Sequence, residues 1–336
     1  GIVSHITKDT TQDAKITRVM SDVDIHSTCT YALNGTLDVY FGGIVGIAEC
    51  TDKQVVISYC GYKGKISGNS SVNIGNVAGI IAQKIGNKTV QVICNLSMGS
   101  YEAVSSGQYI TNSTGNISYK ANAVLRVEGV ISDAYYPKMY SAREIESGKV
   151  AHDYYYSGYT SNELVWGQNL NPLNGEVDTA PRLMYETYDD AAKEAIRVSK
   201  ISVEGPKNVI YSNYYVNKKQ TITLELPENQ DIEGIKRIGW SFDGTTYPAD
   251  TETIEYTVSS TTDMICKEQF DLTFKKNGNG EYEISSADDL RNLADLKEND
   301  TYKSVPDNKV YVLTCDIAYD RTKENNHKPI GNNKGK

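Results

Sequence analysis

Two aspartates have a spacing that could support acid–base chemistry. Asp22 and Asp24 lie in the stretch "TRVMSDVDI", whose alternation predicts one strand with the aspartates on one face and Val19, Ser21 and Val23 on the other. The rise of a strand would place the two carboxylates about 7 Å apart. That spacing falls within the roughly 6.5–9.5 Å that inverting glycosidases use. An exposed Asp-x-Asp pair on a solvated strand is nevertheless common, and no second acid recurs at the equivalent positions farther along the chain.

Other residue types that carry catalysis or bind metals are sparse and scattered. The chain has four histidines, none at a recognised catalytic spacing: His5, His26, His152 and His327. The hydrolase motif G-x-S-x-G, the zinc motif H-E-x-x-H and the phosphate-binding P-loop are all missing from the sequence. The six cysteines contain no C-x-x-C pair, so zinc spacing is missing as well. We therefore predict no catalytic residue, no metal ligand and no cofactor, and the sequence assigns no ligand-binding residue.

Composition restricts the class of protein. The 336 residues carry a formal net charge of −9, which disfavours nucleic acid as a partner. The sequence has no apolar run of the roughly 20 residues that a membrane span requires. The chain starts at Gly1 without a methionine, and we expect it to be a fragment of a longer protein. Tyrosine is abundant, with 25 residues against 4 phenylalanines, which suits exposed β surfaces.

The elements that would position any site repeat along the first 140 residues. Gly43 of "GGIVGIAE" aligns with Gly79 of "AGIIAQ", 36 residues later, and Lys53 aligns with Lys88, 35 residues later. The stretch "GIVSHI" at the start of the chain matches the same pattern, and a fainter fourth copy begins near residue 115. A repeat of this length is typical of solenoids, in which each short strand is buried by stacking on its neighbours. A β-sandwich is the alternative, because short strands separated by turns also build one.

The repeats resemble a known family. The stretch "FGGIVGIAE…VVISYCGYKGKISG" resembles the GLUG-type repeats of bacterial cell-surface proteins, in which a glycine-led apolar strand precedes a second strand with spaced glycines. The residues that match this second strand are Cys60, Tyr62, Gly64, Ile66 and Gly68. The segment around "VWGQN" resembles the end of such repeat arrays, and residues 276–336 resemble the beginning of another array. The resemblance implies a right-handed parallel β-helix on an exported surface protein.

The rest of the chain predicts further modules. Capping-box patterns at Ser141 and Ser286 predict two helices, and six alternating segments after Ile201 predict an Ig-like β-sandwich with Trp240 in its core. Trp166 is expected to cover the end of the repeats, and the alternative is a platform for sugars. The predicted order is therefore β-solenoid repeats at 1–140, a capping segment at 141–187, a linker at 188–200, a sandwich at 201–275 and the start of a second solenoid at 276–336.

The sequence favours a non-catalytic function. Together with the resemblance, it indicates a bacterial cell-surface adhesin that binds an extended ligand, either a glycan or a host or matrix protein. One alternative is a carbohydrate-active β-helix enzyme, either a polysaccharide lyase or a glycoside hydrolase. Another alternative is a structural stalk. Because solenoid ends leave unpaired strand edges, we also expect head-to-tail self-association through residues 1–10 or 325–336.

Overall fold

The protein is mainly β. The computed structural model describes residues 2–7, 13–27, 41–49, 55–68, 77–78, 81–85, 90–93, 95–97, 100–102, 124–127, 138–156, 165–184, 188–229, 234–299, 302, 305–307 and 309–317. The chain divides into two compact units, Gly1–Val198 and Ser199–Lys336. In the described residues, no helix combines the length and the apolar character needed to cross a membrane.

The first unit contains most of the strands. In chain order they are β1 (Val3–Ile6), β2 (Ala14–Thr17), β3 (Met20–Ser21), β4 (Ile25–Ser27), β5 (Phe41–Gly42), β6 (Val45–Glu49), β7 (Val55–Ser58), β8 (Gly61–Tyr62), β9 (Lys65–Gly68), β10 (Val77–Ala78), β11 (Ile81–Ile85), β12 (Val90–Ile93), β13 (Asn95–Ser97), β14 (Ser100–Glu102), β15 (Val124–Val127), β16 (Lys138–Tyr140), β17 (Trp166–Gly167) and β18 (Arg182–Leu183). Strands β1–β4 form layer 1, β5–β9 form layer 2 and β10–β14 form layer 3. Strands of successive layers pair in parallel, in the orders β1-β6-β11, β2-β7-β12, β3-β8-β13 and β4-β9-β14.

The pairing register follows the repeat in the sequence. Between layers 2 and 3, Val45 pairs with Ile81 and Val55 pairs with Val90, which are steps of 36 and 35 residues. The sequence predicts these two steps, and the register confirms them. Between layers 1 and 2, Val3 pairs with Val45, a step of 42 residues. The first repeat is therefore longer than the second.

The glycine-rich segment at residues 42–46 is buried between neighbouring strands. Ile44 and Val45 have no exposed surface. A Cβ atom on Gly46 would lie 2.4 Å from the backbone oxygen of Ser4, so only glycine lets layers 1 and 2 approach this closely. The stacking of layers therefore explains why an apolar, glycine-rich segment recurs along the sequence.

A buried amide also joins the layers. The Asn95 side-chain oxygen accepts a hydrogen bond from the Cys60 backbone amide at 2.7 Å, and its nitrogen donates to the Ile57 carbonyl at 2.8 Å. The Tyr154 hydroxyl donates to the Asn95 carbonyl at 2.7 Å. Buried polar groups are costly unless they are paired. Asn95 therefore satisfies backbone groups of layer 2 from within layer 3.

The prediction of a fourth repeat that continues the parallel stack is wrong for the residues that the structure describes. Strand β15 pairs antiparallel with β13, with Ser97 opposite Leu125, whereas a further layer would pair in parallel. Strand β16 then pairs antiparallel with β15. The first segment of this copy, residues 115–120, lies outside the described residues. The parallel stack is thus three layers deep in the described part of the chain.

In the described residues of the first unit, three α-helices follow the layers, α1 (Ala142–Glu146), α2 (Lys149–Tyr156) and α3 (Asp190–Ala195), and a 3₁₀ helix spans Pro172–Asn174. The predicted capping box is confirmed, because Ser141 accepts from the Glu144 amide and Glu144 accepts from the Ser141 amide. Trp166, on β17, is 2% exposed and lies in a cluster with Leu96 and Tyr154. The segment therefore packs against the layers through Leu96 of layer 3.

The second unit begins with a mixed sheet. Its strands are β19 (Ser199–Glu204), β20 (Ile210–Val216), β21 (Thr221–Glu225), β22 (Ile235–Phe242), β23 (Thr245–Tyr247), β24 (Thr253–Thr257), β25 (Met264–Leu272), β26 (Tyr282–Ile284) and β27 (Tyr311–Leu313). Five of them form a sheet in the order β20-β19-β25-β22-β23, and β21 pairs with β24. The six predicted strands are all present, and β23 is an additional strand that the sequence analysis did not predict.

Two hydrophobic clusters stabilise this unit. Trp240 has no exposed surface and lies in the cluster shared by the five-stranded sheet and the β21–β24 pair, as the sequence predicts. The second cluster joins the ends of β22 and β25 to helix α4 (Ala287–Glu298) and to the parallel pair β26–β27. Leu293 and Leu296 of α4 are buried in it. The predicted N-cap Ser286 is confirmed, because its hydroxyl accepts from the Asp289 amide at 3.0 Å.

Candidate functional site

The candidate site is the exposed face of the sheet β4-β9-β14, which we name the ladder face. In this parallel sheet His26, Ser67 and Glu102 occupy one column, because His26 pairs with Ser67 and Ser67 pairs with Glu102. The preceding column contains Ile25 and Ile66, and Ile66 is fully buried. Since side chains alternate along a strand, the buried Ile66 fixes Ser67 on the outside, and Ser67 pairs with His26. His26 is exposed and Ser67 is half-exposed.

The two aspartates lie at the corner that leads into this sheet. The expected continuous strand is wrong here, because β3 ends at Ser21 and β4 starts at Ile25. Val23 is 55% exposed and thus does not share a buried face with Ser21. Asp22 and Asp24 are both exposed, and one Asp24 oxygen accepts a hydrogen bond from the Lys65 backbone amide at 2.7 Å. Asp24 therefore caps the next layer and does not act with Asp22 as a pair on one strand face.

Close packing fixes this corner. The Tyr62 hydroxyl donates to the Val23 carbonyl at 3.2 Å. A Cβ atom on Gly64 would lie 2.3 Å from the same carbonyl oxygen, so a larger residue would push the layers apart. Gly64 and Tyr62 belong to the repeat pattern in the sequence. The pattern is thus explained by the approach of successive layers at a corner.

The His26–Ser67 contact is the feature that sequence reasoning missed. His26 Nδ1 and Ser67 Oγ are 2.8 Å apart, although the residues are 41 positions apart in the chain. The two residues lie in adjacent layers, and catalytic motifs with short spacing do not reveal a contact between layers. The contact therefore depends on the register between layers 1 and 2.

The His26–Ser67 contact joins two side-chain types that also occur together in catalytic sites. A histidine bonded to a serine hydroxyl is the arrangement of a base and a nucleophile. A hydrolase also needs an oriented base and donors for the oxyanion. In the described residues no carboxylate bonds to the second nitrogen of His26, and the pair lies on an exposed sheet. On the face itself His26 is exposed and Ser67 is half-exposed, and the exposed side chains of Asp22 and Lys63 belong to the turns that precede β4 and β9.

Among the residues that the structure describes, the remaining histidines and the cysteines do not assemble a metal site. Across the described ranges, no group of three or more His, Cys, Asp or Glu side chains is placed to hold a metal ion. Cys60 and Cys266 are buried free thiols, and Cys315 is an exposed free thiol. Cys29, Cys50, Cys94 and His327 lie outside the described residues. Trp166 is too deeply buried to offer its ring to a sugar, so the sugar-platform alternative is wrong.

Comparisons with known proteins give no independent assignment. No protein family matches the chain, and no match is found among curated proteins or among solved structures.

Proposed function

We propose that this chain is part of an exported bacterial cell-surface protein of adhesin type. In this proposal the layers of the first unit are coils of a right-handed parallel β-helix, the five-stranded sheet and β21–β24 form an Ig-like sandwich, and the C-terminal segment begins a second β-helix. The parallel pairing with steps of 35 to 42 residues supports the first of these assignments. The resemblance to GLUG-type repeats supports the cell-surface location.

The ladder face is the binding surface in this proposal. The observation that carries it is the His26–Ser67 contact, which aligns polar side chains of successive layers in one exposed column. Repeated layers present equivalent groups at the strand spacing of about 4.8 Å. A surface of this kind suits a long ligand that contacts several layers, such as a glycan chain or an extended peptide.

Binding to a panel of polymers tests the proposal. The protein is incubated with insoluble mucins, plant polysaccharides and cell-wall polysaccharides, and both pelleted protein and released reducing ends are measured. We expect retention on one class without new reducing ends. The double variant His26→Ala/Lys63→Ala should lose most of this retention, because both side chains are exposed on or beside the ladder face.

A matched double variant controls for the loss of charge. His5→Ala/Lys15→Ala removes the same two residue types from exposed positions on β1 and β2 of layer 1. Its retention should equal that of the unmodified protein. Equal retention of all three proteins would contradict the ladder face as the binding surface.

The enzyme alternative has its own outcome in the same assay. The His26–Ser67 hydrogen bond and the exposed Asp22 carboxylate in the turn before β4 are the features that favour it. New reducing ends that disappear with Asp22→Asn would establish glycan cleavage and overturn the adhesin proposal. Neither retention nor cleavage on any polymer would favour the structural stalk.

A further inference from the structure

The dipeptide Asn-Gly occurs at three places in the described part of the chain. Asn174–Gly175 lies at the end of the 3₁₀ helix, and Asn277–Gly278 and Asn279–Gly280 share the turn between β25 and β26. A fourth pair, Asn34–Gly35, lies outside the described residues. An asparagine that precedes glycine can react with the backbone nitrogen of that glycine, because glycine has no side chain to obstruct the ring that forms. The three described pairs have the same residue types, so their surroundings decide which of them reacts.

The Asn277 side chain is held by three hydrogen bonds. Its oxygen accepts from the backbone amides of Asn279 at 2.9 Å and of Glu281 at 3.0 Å. Its nitrogen donates to Glu281 Oε2 at 2.8 Å. Ring closure brings the side-chain carbon Cγ onto the Gly278 nitrogen and releases the side-chain nitrogen. All three hydrogen bonds oppose this movement, so the fold protects Asn277.

Asn279 lies in the same turn, but its side chain is not held. In the described part of the chain this side chain is exposed and makes no hydrogen bond. The Gly280 amide, whose nitrogen would attack, donates to the Asn277 carbonyl at 3.0 Å. A Cβ atom on Gly280 would meet no other atom within 4 Å, so packing does not restrict this part of the turn. One backbone hydrogen bond therefore opposes the reaction at Asn279.

Asn174 is intermediate between these two residues. Its side chain is exposed, and the side-chain nitrogen donates to the Ala195 carbonyl at 3.1 Å. The Gly175 amide donates to the Pro172 carbonyl at 3.3 Å. One side-chain bond and one long backbone bond thus oppose the reaction here.

We propose that Asn279 is a modification site, at which the side-chain amide is hydrolysed through a cyclic imide. The Gly280 nitrogen gives up its proton to water and bonds to Cγ of Asn279, and the side-chain nitrogen takes up a proton and leaves as ammonia. Water then opens the ring. Attack of water on Cγ gives aspartate, and attack on the main-chain carbonyl carbon gives isoaspartate, in which the backbone runs through Cγ. Water is the co-reactant, and no atom is oxidised or reduced.

The modification changes both charge and backbone at the turn. Either product adds a negative charge to a chain whose formal net charge is already −9. Isoaspartate also lengthens the backbone between the Asn277 carbonyl and the Gly280 amide, which are hydrogen-bonded to each other. The turn connects Lys276 to Tyr282, and both side chains hydrogen-bond to Asp271. The proposal concerns the second unit and does not depend on the ladder face.

Peptide mass spectrometry of the aged protein tests the proposal. The full chain is incubated in native buffer at mildly alkaline pH and digested, and the deamidated fraction of each asparagine is followed with time. Each hydrogen bond that opposes ring closure should slow it by a factor of roughly 2 to 10. We expect Asn279 to react at least about fivefold faster than Asn277, with Asn174 between them. In urea the three rates should become similar, because the hydrogen bonds are lost.

A variant separates the hydrogen bonds from the local sequence. Glu281→Ala removes the acceptor of the Asn277 side-chain nitrogen and leaves every Asn-Gly pair intact. Asn277 should then react at least about twofold faster, whereas the distant Asn174 should keep its rate and serves as the control. Equal native rates at Asn277 and Asn279 would overturn the proposal. An order of rates that persists unchanged in urea would overturn it as well, because the sequence alone would then set the order.

Discussion

Arg237 and Glu268 form an ion pair inside the second unit, with Arg237 Nε 2.5 Å from Glu268 Oε1. Their side chains are 4% and 2% exposed. The other guanidinium nitrogens donate to the carbonyls of Pro227 and Glu228 at 3.0 and 2.9 Å. The Tyr211 hydroxyl donates to the second carboxylate oxygen at 2.8 Å. Each guanidinium nitrogen and each carboxylate oxygen therefore has a hydrogen-bond partner within the protein.

The pair lies where the two hydrophobic clusters of this unit meet. The guanidinium lies 4.8 Å from the ring centre of Trp240, which belongs to the first cluster. Tyr302 packs against the second cluster, and burial together with the Glu268 carboxylate raises its pKa. The ion pair thus contacts Trp240 of the first cluster and acts electrostatically on Tyr302 beside the second.

Removing one partner of this pair should destabilise the second unit strongly. Arg237→Met leaves the Glu268 carboxylate buried without its cation, and the free energy of unfolding should fall by about 3–5 kcal/mol. Urea unfolding followed by tryptophan fluorescence measures the change. The double variant Arg237→Met/Glu268→Leu should recover most of the loss, because apolar residues can replace a buried pair.

An exposed pair on the same unit serves as the control. Lys275 contacts Glu283 at 2.8 Å, but its side chain is 80% exposed. Lys275→Met should therefore change the free energy of unfolding by less than about 1 kcal/mol. A similar small change for Arg237→Met would mean that water reaches the buried pair.

The Asn95 side chain should also be essential to the stack. Asn95→Ala removes the side-chain partner of the Cys60 amide and of the Ile57 carbonyl. The lost hydrogen bonds should lower the free energy of unfolding by about 1–3 kcal/mol for each group. We expect urea unfolding of the first unit to shift to lower concentration. Asn174→Ala is the control, because Asn174 is exposed and its side chain donates to the Ala195 carbonyl at the surface. Equal shifts for the two variants would contradict this role of Asn95.

The sequence predicts the stacking better than it predicts the site. Apolar residues and glycines repeat at nearly constant spacing, since every layer must bury the same positions, and this spacing yields the register. The role of Asp24 follows from contact with Lys65 of another layer, and alternation within one strand cannot reveal it. The His26–Ser67 contact spans layers in the same way. The antiparallel β15 was missed because its apolar residues fit a parallel strand equally well.

Thiol reactivity should separate the described cysteines. Burial raises the pKa of Cys60 to about 11 and that of Cys266 to about 12, so both remain protonated thiols at neutral and mildly alkaline pH. Cys315 is exposed, and its thiol donates to the Ser285 carbonyl at 2.9 Å. Iodoacetamide at pH 8 followed by peptide mass spectrometry should label Cys315 in the native protein and all three residues in urea. Native labelling of Cys60 at the rate of Cys315 would show that the stack opens.

Acid should destabilise the second unit through Asp271. Burial alone would raise the pKa of this carboxyl group, but hydrogen bonds from Lys276, Tyr282 and the Leu272 amide outweigh burial and lower the pKa to about 2. A lowered pKa stabilises the folded state above the unfolded value of about 3.9, and this stabilisation is lost as the pH falls from about 4 towards 2. Urea unfolding at pH 7, 4 and 2.5 measures the free energy of unfolding. Its fall between pH 7 and pH 2.5 should be smaller in Asp271→Asn than in the unmodified protein by about 1 kcal/mol, because solvent screens this partly exposed group. The control Asp250→Asn changes an exposed residue and should show the same fall in the free energy of unfolding as the unmodified protein. An equal fall in the two variants would exclude Asp271 as its source.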